Sequence, residues 1–113
     1  VSKYEFDEKK VADALSGYVR LVREDEDVQP DADFSGLGRK TQIVSLLLGK
    51  LSGYEIGYYN SIGARKNWIG ERYGYKQSKV TDNASKLDFV FRDTSEGGYH
   101  IPGYRVDEAV DYL

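Results

Sequence analysis

Two closely spaced glycines interrupt a stretch that is otherwise helical, NWIGERYGYKQSKV, in the second half of the chain. Gly70 lies inside the first helical segment, where glycine costs about 1 kcal/mol relative to alanine. A small residue at this place lets a second helix approach, and a glycine after the first helix, Gly74, supplies a left-handed turn. Val80 then packs into the angle between the two helices. The spacing therefore predicts two steeply crossing helices, from 61 or 64 to 73 and from 78 to about 87.

Hydrophobic periodicity predicts further elements on both sides of this pair. A first helix is expected over Tyr4–Arg23, followed by a solvated acidic loop in EDEDVQPDADFSG. The most hydrophobic stretch, IVSLLLG, belongs to a helix predicted over Arg39–Leu51, which we expect at the centre of the core. A short strand is predicted at Tyr54–Tyr58, and DFVFRD and YHIPGYRV predict a β-hairpin. Pro102 makes the returning strand an edge strand or interrupts it, and DEAVDYL predicts a short last helix.

The length and composition fit one soluble domain. The chain has 113 residues, of which 40% are hydrophobic and 31% are charged, as expected of a globular core. The longest apolar run is too short to span a bilayer, and the charged N-terminus lacks the apolar stretch of a signal peptide. The chain has no cysteine, which excludes disulfides and thiolate zinc sites and fits a cytoplasmic protein.

The charges are segregated along the chain. Residues 1–36 hold five basic and ten acidic side chains, a net charge of −5. Residues 37–92 hold ten basic and four acidic side chains, a net charge of +6, and residues 93–113 have a net charge of −4. A basic middle between acidic ends indicates a face for an anionic partner, with chance clustering on a solvated surface as the alternative.

The glycine and valine spacing, the apolar helix before it and the strand–turn–strand after it resemble the winged helix-turn-helix domain of DNA-binding proteins. The resemblance covers roughly Gly38 to Val106. It implies a mainly α fold with a small β-hairpin and an extra N-terminal helix, so that residues 1–36 form the N-terminal helix and acidic loop and residues 37–113 the winged domain. It also implies a sequence-specific duplex DNA-binding protein, a transcriptional regulator or a plasmid or phage accessory factor. A winged-helix protein-interaction module without DNA binding is the alternative, and RNA binding is a further one.

In this family the second helix of the motif lies in the major groove, and its early outward residues meet base edges. The resemblance therefore gives six candidates for base contacts, which are Gln77, Ser78, Lys79, Thr81, Asp82 and Ser85. Ser78 is equally a candidate for the N-cap of this helix. Basic residues around the motif are candidates for phosphate contacts, with a solvated charge as the alternative for each. They are Arg39, Lys40, Arg65, Lys66, Arg72, Lys76, Lys86 and Arg92.

Catalysis finds little support in the sequence. His100 is the single histidine and has no cysteine or second histidine to share a metal with, and neighbouring carboxylates occur in the solvated run Glu24–Asp27. We therefore expect no enzyme activity, no metal, no cofactor, no small-molecule ligand and no membrane partner.

A homodimer is expected, because a lone winged unit covers only part of a two-fold DNA site. The N-terminal helix is expected to contribute to the interface, since its apolar residues exceed what one small domain covers. The alternative is that this helix folds back onto IVSLLL and completes a monomeric core.

Overall fold

The centre of the fold is a buried helix, α2 (Arg39–Glu55). The computed structural model describes residues 7–24, 27–60, 62–73, 77–93 and 98–113, and within them α2 is the longest element. Residues 42–53 are all buried, including the polar Gln42, Ser45 and Ser52. A helix without a solvent face needs neighbours on every side. The prediction that IVSLLLG forms the centre of the core is confirmed.

Four further helices and five short strands surround α2 in the described parts of the chain, and the domain is compact. β1 and β2 form an antiparallel hairpin, and a second antiparallel sheet has the strand order β3–β5–β4. This agrees with the predicted mainly helical fold with a small β-hairpin. The elements are α1 (Glu8–Leu15), β1 (Val19–Val22), β2 (Asp27–Pro30), β3 (Ala64–Arg65), α3 (Lys66–Tyr73), α4 (Gln77–Ala84), β4 (Phe91–Asp93), β5 (Gly98–His100) and α5 (Val106–Tyr112), with 3-10 turns at Phe34–Gly36 and Gly103–Arg105.

The N-terminal helix is much shorter than predicted. Asp7 caps its start by accepting a hydrogen bond from the backbone N–H of Lys10 at 3.1 Å. The helix ends at Leu15, because Gly17 takes a left-handed conformation (φ +84°) that side chains with a Cβ disfavour. The predicted helix over Tyr4–Arg23 is therefore wrong after Leu15, and residues 1–6 lie outside the described part of the chain.

The predicted acidic loop contains a strand, so that prediction is wrong as well. β2 pairs with β1 over four residue pairs. Val28 is fully buried and Phe34 is 2% exposed. Burying a side chain of this size contributes about 1.5–3 kcal/mol, which exceeds the energy of most interactions between exposed charges. Burial of these two residues therefore holds the segment on the core despite its carboxylates.

Two glycines let the β1–β2 hairpin and the loop after α2 lie close against that helix. A Cβ at Gly49 would lie 2.9 Å from a methyl group of Val28, and a Cβ at Gly53 would lie 1.9 Å from the ring of Tyr59. Tyr59 also donates a hydrogen bond from its hydroxyl to the backbone carbonyl of Asp27. The close packing of the hairpin on α2 therefore depends on these two glycines.

Lys50 is buried beside this contact, with 8% of its surface exposed. Its Nζ lies 4.8 Å from the ring centre of Tyr59 and 5.6 Å from that of Trp68. Cation–π contacts of this kind stabilise a desolvated ammonium group by about 2 kcal/mol. Because Trp68 belongs to α3, Lys50 connects α3 with the loop that follows α2.

The predicted strand at Tyr54–Tyr58 is wrong. α2 continues to Glu55 and ends in a turn in which Gly57 has a φ of +87°. The backbone N–H groups of Tyr58 and Tyr59 both donate to the carbonyl of Gly53, which closes the helix end. The strand of this region is β3, and α3 follows it directly.

The β4–β5 hairpin and α5 lie where the sequence predicts them, although the strands are shorter. β5 is the central strand of its sheet, so the prediction of an edge strand is wrong. It ends at His100, which keeps Pro102 out of the ladder, as the alternative prediction required. α4 ends at Ala84 instead of the predicted Leu87, which lies in the turn after the helix.

Replacing Gly53 by alanine should destabilise the domain by about 1–3 kcal/mol, because the new methyl group overlaps the ring of Tyr59. The loss should exceed the roughly 1 kcal/mol that alanine gains in helix propensity. Urea unfolding measures the difference. Gly36→Ala is the matched control, since a Cβ there meets nothing within 4 Å. Equal stability of the two variants would contradict the tight contact.

Candidate nucleic-acid interface

The inner faces of α3 and α4 pack together and against α2. Ile69 and Gly70 are buried in α3, and Val80 and Ala84 are fully buried in α4. Gly70 and Val80 thus occupy the inward positions that the sequence predicts for a helix pair. The predicted turn glycine, Gly74, lies outside the described residues.

The outer face of α4 carries most of the candidates for base contacts. Ser78, Lys79, Asp82 and Ser85 are exposed, and Thr81 is half-buried. Ser78 is the second residue of α4, so it lies inside the helix and is not its N-cap. Gln77 opens the helix, and its side chain lies outside the described part of the structure.

Thr81 connects α4 with the central strand of the sheet. The hydroxyl of Tyr99 in β5 donates a hydrogen bond to Oγ1 of Thr81 at 3.3 Å. Tyr99 is 5% exposed, so its ring lies in the core while its hydroxyl reaches α4. This bond fixes the β4–β5 hairpin relative to the outer face of α4.

The candidates for phosphate contacts are spread over several elements. Arg39, Arg65, Lys86 and Arg92 are exposed, and Lys40 is half-buried. The predicted helix from 61 or 64 includes Arg65. In the structure Arg65 lies in β3, and α3 begins at the next residue, Lys66. The side chains of Lys66 and Arg72 and the whole of Lys76 lie outside the described part of the chain.

The structure brings two of these cations together with two base-contact candidates around one open cavity of about 450 Å³. Arg39 is the first residue of α2, and the other lining residues come from α4 and the turn after it. Asn83, which sequence reasoning missed, donates from Nδ2 to the carbonyl of Lys79 at 2.8 Å. We call this the cationic cavity, and its lining residues are Arg39, Lys79, Asp82, Asn83 and Lys86.

The acidic ends of the chain meet on another part of the surface. Nζ of Lys10 in α1 donates to the carboxylate of Asp107 in α5 at 2.9 Å, and this hydrogen bond raises the pKa of Lys10. In the turn before α5, Arg105 forms two bonds with Glu108 at 2.5 and 2.7 Å, and the guanidinium lowers the pKa of that carboxyl. The Lys10–Asp107 pair therefore links α1 with α5.

An aromatic group covers one side of the β4–β5 hairpin, and sequence reasoning missed it as well. The ring of Phe91 lies 6.0 Å from that of His100 and 6.3 Å from that of Tyr104. The guanidinium of Arg105 lies 5.8 Å from the Phe91 ring centre. Tyr104 is 67% exposed, so this group presents aromatic surface to the solvent. His100 is thus packed among aromatic side chains.

In the described ranges of the chain, no group of three or more histidines, aspartates or glutamates is placed to hold a metal ion. None of the helices in those ranges has the length and the hydropathy that crossing a lipid bilayer requires.

Comparison with known proteins gave no match: no family model, no curated protein and no solved structure is significantly similar to this chain.

Tyr99→Phe should lower the free energy of unfolding by about 0.5–1.5 kcal/mol, because it removes the hydrogen bond to Thr81. Chemical denaturation measures this loss. Tyr104→Phe removes the same hydroxyl from an exposed ring and should leave stability nearly unchanged. If the two variants unfolded alike, the bond between β5 and α4 would contribute nothing to stability.

Proposed function

We propose that this chain is a winged helix-turn-helix protein that binds duplex DNA in a sequence-specific manner. The order of its elements supports the proposal: an apolar helix, a short strand, two packed helices and a hairpin follow one another from α2 to β5. The strand before the helix pair and the two strands after it share one sheet. An apolar helix followed by a helix pair and a hairpin is what the resemblance to the family implies.

One observation carries the proposal: α4 is buried on one side and presents polar and basic side chains on the other. Val80 and Ala84 anchor it in the core, while Ser78, Lys79 and Asp82 face the solvent. Eight residues at a rise of about 1.5 Å give a helix about 12 Å long. A helix with its side chains is about 10–12 Å in diameter, and the major groove of B-DNA is about 12 Å wide, so a helix with one exposed polar face, such as α4, can enter it.

In this proposal the contacts divide into two kinds. Side chains on α4 read base edges, and exposed arginines and lysines on neighbouring elements hold phosphates and fix the register. The simplest biological role is transcriptional regulation by occupying a site that polymerase needs, and a plasmid or phage accessory role has the same physical basis. A cytoplasmic location is part of this proposal.

The alternative function, a winged-helix module for protein interaction, is favoured by the aromatic group on the β4–β5 hairpin. Tyr104 and Tyr112 are both exposed, and aromatic side chains are enriched at protein interfaces. Salt-dependent binding to duplex DNA distinguishes the two functions, because it is expected of a DNA-binding protein and not of a protein-interaction module.

The chain should bind random-sequence duplex DNA with an affinity that falls steeply as salt rises, since each neutralised phosphate contributes a slope of about −0.9 in log–log form. Lys79→Ala should weaken discrimination between selected and random duplexes by about 1–3 kcal/mol. Fluorescence anisotropy over a salt series measures both quantities.

Lys9→Ala is the matched control, because Lys9 is an exposed lysine on α1 outside the proposed interface. It should leave affinity and discrimination nearly unchanged. Affinity that is absent at low salt would reject DNA binding and favour the interaction module. A loss of affinity that is equal for all sequences would instead make Lys79 a phosphate contact.

We also propose that the protein acts as a homodimer, so that two copies of α4 read two half-sites. The interface on the N-terminal helix is predicted from apolar residues that one domain would leave uncovered. Val11 and Leu15 are buried within the chain, so they do not support that interface. α5, with the exposed Tyr112, is the better interface. Sedimentation at micromolar concentration should give the mass of a dimer, and Tyr112→Glu should shift it toward the monomer. A monomer mass for the unmodified chain would reject the dimer.

A further inference from the structure

The cationic cavity joins parts of the chain that lie far apart in sequence. Arg39 comes from the first residue of α2, whose first turn contains no acidic residue. Lys79 and Asp82 come from α4, and Lys86 comes from the turn that follows it. Three cations and one carboxylate give the lining a formal charge of +2. Such a cavity attracts an anion of small charge.

The cavity is large enough for a small anion. Its volume of about 450 Å³ equals roughly fifteen water molecules at about 30 Å³ each. A single phosphate group fits this space together with part of its hydration shell. The cavity is open to solvent and borders the exposed face of α4, so a phosphate that belongs to a long polymer has access to it.

Asp82 reduces the positive charge of this cavity. It lies three residues after Lys79 on α4, a spacing at which helical side chains are neighbours, and it lines the cavity together with Lys86 from the turn after the helix. Its carboxylate therefore neutralises part of the positive charge that an entering phosphate meets. A DNA-contacting face gains affinity from cations, so a carboxylate among them opposes binding by the same electrostatic rule.

We propose that the cationic cavity binds one phosphodiester group of the DNA backbone and that Asp82 is a built-in counter-charge that limits its affinity. The inference rests on the proposed function. It assigns Arg39 and Lys86 to one phosphate and leaves Lys79 to the bases. For Asp82, the role of counter-charge replaces the predicted base contact. By lowering the affinity for backbone in general, the carboxylate increases the share of binding energy that comes from base contacts.

The test uses the full chain and a duplex obtained by site selection. Each backbone phosphate in turn is replaced by an uncharged methylphosphonate, and binding is measured for the unmodified chain, Arg39→Gln, Lys86→Gln and Asp82→Asn. On the unmodified duplex the two cation variants should bind about two- to fivefold more weakly, and Asp82→Asn should bind more tightly by a similar factor. All three effects should disappear when one particular phosphate has been neutralised.

The matched controls are Arg20→Gln, an exposed arginine on β1, and Asp13→Asn, an exposed aspartate on α1. Their effects on duplex affinity should be small and should not depend on which phosphate is neutralised. Thermal melting of every variant separates loss of binding from loss of folding. All five substituted side chains are exposed, so folding should persist.

Three results would overturn the inference. If the effects of Arg39→Gln and Lys86→Gln depend on no single phosphate, the phosphate site is rejected. Duplex binding, and with it the proposed function, would still stand. Weaker binding of Asp82→Asn together with lost preference at one base pair would make Asp82 a base reader. If the unmodified chain does not bind the duplex at about 50 mM salt, the proposed function fails and the backbone assignment fails with it.

Inorganic phosphate is the second probe. NMR shifts in α4 on adding phosphate, without duplex binding, would identify free phosphate as the ligand.

Discussion

The whole structure depends on close packing around α2. Because residues 42–53 have no solvent face, every other layer of the domain is placed by its contact with this helix. The glycines at 49 and 53 let the β1–β2 hairpin and Tyr59 approach its backbone, and Lys50 carries the contact on to Trp68 in α3. The side chains proposed for DNA therefore stand on helices whose inner faces are fixed by a rigid core, which is the condition for precise contacts.

The parts of the fold that the sequence predicts well have strong local signals. The apolar residues of IVSLLLG require burial, their place in a longer helical pattern predicts a helix, and the inward positions of Gly70 and Val80 follow from their spacing. The N-terminal region lacks such a signal, because Leu21 and Val22 fit a helix and a strand equally well. The left-handed turn at Gly17 and the burial of Val28 against Gly49 decide the outcome. The second of these is a contact between distant residues, and periodicity does not report it.

The candidate site, like the fold, is predictable only where the signal is local. The outward residues of α4 follow from helical periodicity once the inward face is known, and Lys79, Asp82 and Ser85 are exposed as expected. The cationic cavity could not be predicted, since it requires the start of α2 to lie beside the end of α4. Asp82 shows the consequence: in the sequence it is one polar residue on a helix face, whereas in the fold it shares a cavity with three cations.

The net charge of −3 is compatible with a DNA-binding face because salt limits the range of each charge. At physiological ionic strength the Debye length is about 8 Å, whereas the domain measures 39 × 31 × 28 Å. Exposed carboxylates several Debye lengths from a phosphate are therefore largely screened, and the charges within one cavity set the local attraction. Lys10 on α1 pairs with Asp107 on α5, while Arg39, Lys79 and Lys86 surround the cationic cavity. Asp82 is the one carboxylate among the described residues that line it, so in the proposed interface this side chain should have more influence on phosphate affinity than the overall charge of the chain.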